Sequence, residues 1–120
     1  MQYELARKKL GRNIIIGLSI ENINQAEQCK NLDVDYYGVG PIFATESKAD
    51  AAAAIGITEL IIIQKILAAK PCVAIGGINI TNIADVKNTG TGVAVISAIT
   101  QASNPQFAAQ QLLASVNNNV

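Results

Sequence analysis

Tyr36-Tyr37-Gly38-Val39-Gly40-Pro41-Ile42-Phe43-Ala44-Thr45-Glu46-Ser47-Lys48 is the stretch on which the reading of this chain turns. It passes from apolar residues through a Gly-Pro break into a polar tip carrying Thr45, Ser47 and Lys48. An apolar run that stops in this way reads as a strand feeding a loop. Two hydroxyls and an ammonium within four residues suit that loop to an anion.

Working outward, three similar apolar runs share the spacing of strand and helix. Asn13 to Ile20, Cys72 to Ile75 and Gly92 to Ile96 are continuous enough for strands buried on both faces. Asn22 offers an N-cap, with Gln25 as its capping-box partner, for a helix reaching about Leu32 with Ile23, Ala26 and Cys29 inward. Asp33 and Asp35 break the chain before the Tyr36–Gly40 strand. Ile57 or Thr58 opens a helix reaching Ala69, and Lys70-Pro71 stops it. Thr81 caps a short helix ending at Gly90, and Asn104-Pro105 opens the last one, to about Val116. Glu4 to Leu10 reads as the end of a helix capped by Gly11, whose packing partner is expected upstream.

Four strand–helix units with short connections require parallel strands joined by crossovers. An open doubly wound sheet and part of a (β/α)8 barrel both satisfy this pattern. The chain of 120 residues suits one domain.

Composition narrows the function classes. Half the residues are hydrophobic, 15% are charged, and nine basic residues balance nine acidic ones. No basic block is present, which argues against a nucleic-acid surface or a polybasic membrane patch. The longest apolar region, Ala51 to Ala69, is interrupted by Thr58, Glu59, Gln64 and Lys65 and reads as a helix on a sheet. The N-terminus lacks the form of a signal peptide, so a cytoplasmic location is expected. Cys29 and Cys72 have no metal-ligand spacing, histidine is absent, and free thiols in a reducing compartment are expected.

The candidate chemistry lies at the strand ends: Ser19, then Thr45, Ser47 and Lys48, then Gly76-Gly77, then Ile96-Ser97. Each alone has a plain reading as a tight turn, a helix cap or a solvated lysine. Together, hydroxyls, glycines and a lysine at successive strand ends point to a phosphorylated small molecule. No nucleophile–base pair accompanies them.

Tyr37 to Phe43, the Thr45-x-Ser47-Lys48 tip, Val73 to Ile78, Val93 to Ile99 and Ile15 to Ser19 together resemble thiamine-phosphate synthase. The resemblance runs through nearly the whole chain in order. It implies an α/β fold in which residues 1–120 form a single partial domain, equivalent to strands five to eight of a TIM (β/α)8 barrel. The family joins a thiazole phosphate to hydroxymethylpyrimidine diphosphate and releases diphosphate.

By this resemblance Ser19 and Lys48 would meet the diphosphate substrate, with Lys48 and Ser19 serving the catalytic side. Thr45, Ser47, Gly77, Ile96 and Ser97 would hold the thiazole phosphate. The family also uses Mg2+, whose aspartate ligands belong to strands two to four and have no counterpart here. Asp33 and Asp35 precede a strand and do not substitute for them. The expectation is therefore an isolated chain inactive without a separate N-terminal half, or paired as a homo-oligomer. A non-catalytic phosphate-binding remnant and a flavodoxin-like binding module are the alternatives.

Overall fold

The computed structural model describes residues 3–44 and 53–117. Four strands, β1 (Gly17–Ile20), β2 (Tyr36–Val39), β3 (Cys72–Ile75) and β4 (Gly92–Ala94), form one parallel sheet in the order β1-β2-β3-β4. That order decides between the two architectures. A doubly wound sheet reverses its strand order at a switch point, whereas a barrel adds each strand beside the last. The sequential order is that of a (β/α)8 barrel taken over four units.

Helices α2 (Ile23–Cys29), α3 (Gly56–Ile66), α4 (Ile83–Lys87), α5 (Ser97–Thr100) and α6 (Pro105–Asn117) follow their strands. The register places Leu18, Ile20, Tyr37, Val39, Cys72, Ala74 and Val93 on one face. Ile20, Tyr37, Val39 and Ala74 there are at most 1% exposed, against Leu60, Ile63 and Leu67 from α3 and the turn after it. Their spacing of three and four residues makes one inward stripe, while Ile61 and Ile62 between them stay partly exposed. Each fully buried Val, Leu or Ile side chain among them contributes about 1.5–3 kcal/mol.

The opposite face carries Gly17, Ser19, Tyr36, Gly38, Val73, Ile75, Gly92 and Ala94, and among the described residues nothing buries it. This corrects the expectation of strands buried on both sides. The alternation is one-sided because the helices cover only one layer. β1 is also shorter than the Asn13–Ile20 run. Pairing begins at Gly17 opposite Tyr36, and Ile15 is left 76% exposed.

Local signals account for most element ends. Asn22 Oδ1 accepts the Gln25 N–H at 2.8 Å, and Gln25 Oε1 answers with the Glu21 N–H at 2.7 Å. Asn104 Oδ1 accepts the Phe107 N–H at the start of α6, at 3.0 Å. Two helices stop short of expectation, α2 at Cys29 and α3 at Ile66, because their last turns close through Leu32 N–H to Cys29 O and Lys70 N–H to Leu67 O. Thr81 does not cap α4. Its N–H and hydroxyl both go to Asn79 Oδ1, and Asn82 takes the cap position.

Helix α1 (Tyr3–Leu10) buries no residue, and Gly11 closes it at φ +80° with its N–H on Arg7 O. Its attachment is polar and lies within the chain. Arg7 donates to the carbonyls of Gly11, Ile14 and Asp33 and to Asp35 Oδ2, at 2.9–3.2 Å. Tyr3 donates its hydroxyl to the Asp33 carbonyl, and Arg12 pairs with Asp33. The clamp sits at the amino ends of β1 and β2, away from the strand ends that carry the candidate chemistry.

Candidate functional site

Two glycines govern the carboxyl end of β3. Gly76 and Gly77 hold φ of +106° and +65°, a region that side chains disfavour. A Cβ on Gly76 would meet Pro41 Cα at 2.5 Å, and one on Gly77 would meet Phe43 O at 2.8 Å and Ala44 O at 3.0 Å. The Ile42 and Phe43 N–H groups donate to the carbonyls of Ile75 and Gly76 at 3.0 and 3.1 Å. The Gly-Gly turn therefore seats the chain that follows β2, through a cis Gly40–Pro41 peptide.

That same chain leads into the polar tip. Thr45, Ser47 and Lys48 lie outside the described residues, but both flanks of their segment are fixed. On the entering side Phe43 and Ala44 rest on Gly77. On the returning side the Ile55 and Gly56 N–H groups donate to Pro41 and Ile42 carbonyls at 2.9 and 2.8 Å. Entry and exit thus converge on the ends of β2 and β3.

Register connects the next turn. Ile75 pairs with Ala94, so Gly77 and Ile96 each follow by two residues on neighbouring strands. Ile96 is 65% exposed and caps α5, its carbonyl taking the N–H groups of Ile99 and Thr100 at 3.1 and 2.9 Å. Ser97, half-buried, opens that helix.

Ser19 lies on the uncovered face, level with Gly38, then Val73 and Gly92 across the sheet. A Cβ at Gly38 would meet nothing within 4 Å among the described residues, so open space adjoins Ser19. Beneath it the Tyr36 ring crosses Gly17, leaving no room for a Cβ there. The site thus has an aromatic floor and a roomy row above it, below the turns at Gly77 and Ile96.

The described residues do not fit a metal. No group of three or more His, Cys, Asp or Glu among them could hold one. The carboxylates of Asp33 and Asp35 are occupied at the other end of the strands. The Ile16 N–H, then Arg7, holds Asp35 below its ordinary pKa, and Arg12 does the same for Asp33. Both cysteines are free, and burial pushes the Cys72 thiol up, opposite to an activated nucleophile. No described helix is long and apolar enough to cross a membrane.

One residue that the spacing did not single out joins the site. Asn82 donates its Nδ2 to the Gly77 carbonyl at 3.0 Å. The signal available was an Asn three residues after another, Asn79-x-x-Asn82, directly behind the Gly-Gly pair.

Comparison with known proteins gives the family and the fold. The sequence profile of the family described as thiamine monophosphate synthase matches residues 1–99. The thiamine-phosphate synthase of Actinobacillus succinogenes is 50% identical over 100 residues, taking in 82% of this chain and 45% of that protein. That of Chloroflexus aurantiacus is 47% identical over 117 residues, 97% of this chain and 53% of its own length. Thiamine phosphate pyrophosphorylase from Pyrococcus furiosus superposes with a TM-score of 0.83 at 36% identity, over 98% of this chain and 55% of that one. A 3-hexulose-6-phosphate synthase, at TM-score 0.62 and 22% identity over 87% of this chain and 50% of its own, shares the fold alone. The chain spans about half the length of the curated relatives it matches.

Proposed function

The chain belongs to the thiamine monophosphate synthase family, and on that premise we propose that it supplies the thiazole-phosphate side of a thiamine-phosphate-forming site. Thr45, Ser47, Gly77, Ile96 and Ser97 receive the thiazole phosphate, and Ser19 and Lys48 face the diphosphate of the pyrimidine substrate. The observation that carries this reading is the seating of the 43–44 chain on the Gly76-Gly77 turn, beside Ile96. The described bases of three segments, Phe43–Ala44, Gly76-Gly77 and Ile96-Ser97, follow the carboxyl ends of neighbouring strands, and Ser19 lies on the uncovered sheet face.

The chemistry asks for donors and charge, not a base. The bond between the pyrimidine methylene and diphosphate oxygen breaks, and its electron pair leaves with the diphosphate. The thiazole nitrogen then gives its lone pair to the methylene carbon and forms the new C–N bond. Lys48 and Ser19 stabilise charge building on the departing oxygens, as preorganised donors do. Gly77 and the Ile96-Ser97 turn hold the second phosphate through backbone N–H groups.

The Mg2+ of the family has no ligand set among the described residues, so this chain's share of the reaction is binding and leaving-group stabilisation. Its uncovered sheet face and the free edges of β1 and β4 are completed by a second half-barrel. Alone in solution, the chain pairs with another copy of itself to cover that surface.

Titration calorimetry with the thiazole phosphate tests the binding assignment. Saturable one-site binding, weakened at least about tenfold by Ser97→Pro or Lys48→Ala for their respective ligands, is expected. Absence of saturable binding of either substrate by the wild-type chain overturns it.

A further inference from the structure

Asn82 stands where a helix cap belongs, and its side chain does something else. Asparagine is favoured there because its oxygen accepts an N–H from the first helical turn. Asn82 makes no such bond to α4. Its Nδ2 donates to the Gly77 carbonyl at 3.0 Å, and its Oδ1 accepts the Asn79 N–H at 2.8 Å. Asn79 is fixed in turn, because its Oδ1 accepts both the N–H and the hydroxyl of Thr81, at 2.9 and 2.6 Å. One amide therefore staples the turn on both sides of Ile78, a residue only 4% exposed.

The consequence falls on peptide directions. In a planar trans peptide the N–H points opposite to the carbonyl before it. The Gly76 carbonyl is taken by Phe43, so the Gly77 N–H points away from the 41–44 chain, toward the β4 side. The Gly77 carbonyl is turned to Asn82, so the Ile78 N–H points away from α4. Among the described residues neither N–H meets a backbone acceptor, and successive N–H groups of this kind can take an anion.

We propose that Asn82 is a positioning residue for phosphate: it locks the Gly77–Ile78 peptide so that the Ile78 N–H faces the ligand beside the Gly77 N–H, whose own peptide Phe43 holds. The proposal rests on the reading of Gly77 as a phosphate contact. Glycine at 77 gives the turn its shape and also leaves it loose, since glycine passes readily between backbone basins. Asn82 removes that freedom from outside the site, without touching the ligand.

The test compares the wild-type chain with Asn82→Ala and Asn82→Ser, titrating the thiazole phosphate and its dephosphorylated alcohol. Serine is as good a helix cap as asparagine but too short to span Gly77 and Asn79, so Asn82→Ser keeps the fold if Asn82→Ala does not. The expected result for Asn82→Ser is a loss of about tenfold or more in affinity for the phosphate ligand. Affinity for the alcohol and the urea midpoint should stay near wild type, with amide NMR shifts moving at Gly77 and Ile78. Phosphate affinity unchanged in Asn82→Ser, while the wild type binds, overturns this proposal alone. An equal loss for the alcohol and the phosphate overturns it too, since the effect would then be general. No phosphate-dependent binding by the wild type overturns the Gly77 reading and this proposal with it.

Discussion

Gly77 lies so close against Phe43 that a Cβ on the glycine would sit 2.9 Å from the Phe43 Cβ and 2.8 Å from its carbonyl oxygen. Two constraints coincide there, a left-handed backbone and a neighbour that cannot yield without moving the loop base. Gly77→Ala should therefore cost on the order of 1–3 kcal/mol, from the strained conformation and the displaced backbone. Urea denaturation measures it, and the same variant should weaken thiazole-phosphate binding. A stability within about 0.5 kcal/mol of wild type would show that the turn adapts.

The clamp at the other end of the sheet predicts a pH dependence. The Ile16 N–H at 2.7 Å, and then Arg7 at 3.2 Å, hold the Asp35 pKa below its ordinary 3.8. The folded state thus binds the proton less readily than the unfolded chain. This stabilisation is complete above the ordinary value and is lost as pH falls through the depressed one. Urea midpoints should fall as pH drops below about 4, and Asp35→Asn should flatten that decline while lowering the midpoint at neutral pH.

Arg7 makes its own prediction, because no residue of α1 is fully buried and Arg7 joins it to the rest of the fold. Arg7→Ala removes all four of its side-chain hydrogen bonds and should speed amide exchange over residues 3–11 by about tenfold or more. Amides of β2 and β3 should exchange as before. Uniform acceleration across the chain would mean the clamp supports the whole core.

One-sided burial separates neighbours in α3. Ile63 is fully buried and Ile62 is 42% exposed. Ile63→Ala should destabilise by about 2–5 kcal/mol, while Ile62→Ala stays within about 0.5 kcal/mol. On the uncovered face, Ile75, at 36% exposure, has a different task. Light scattering at micromolar concentration should find self-association that Ile75→Lys abolishes, and a monodisperse wild-type monomer would contradict the second half-barrel.

Much of the fold was legible because its signals are local. Asn22 with Gln25 and Asn104 with Pro105 mark helix starts within four residues. Gly76-Gly77 marks a strand end by the same economy, and sequential βα units limited the architecture to two. The choice between those two came from strand order, which no local pattern carries. What stayed hidden acts over distance. Arg7 reaches Asp33 and Asp35 across 26 and 28 residues, and nothing in Arg7's neighbourhood announces this. Asn82 was masked by a more ordinary cap candidate, Thr81. The continuous apolar run at Asn13–Ile20 suggests two buried faces, whereas the described chain supplies cover for one.

The most direct measurement is a thiamine-phosphate synthesis assay on the 120-residue chain, with and without an added N-terminal half from the Chloroflexus aurantiacus relative, in the presence of Mg2+. The predicted result is no turnover above the no-protein control for the chain alone. With the added half, turnover should appear and be lost in Lys48→Ala. Turnover by the chain alone that Lys48→Ala abolishes would contradict the half-site account.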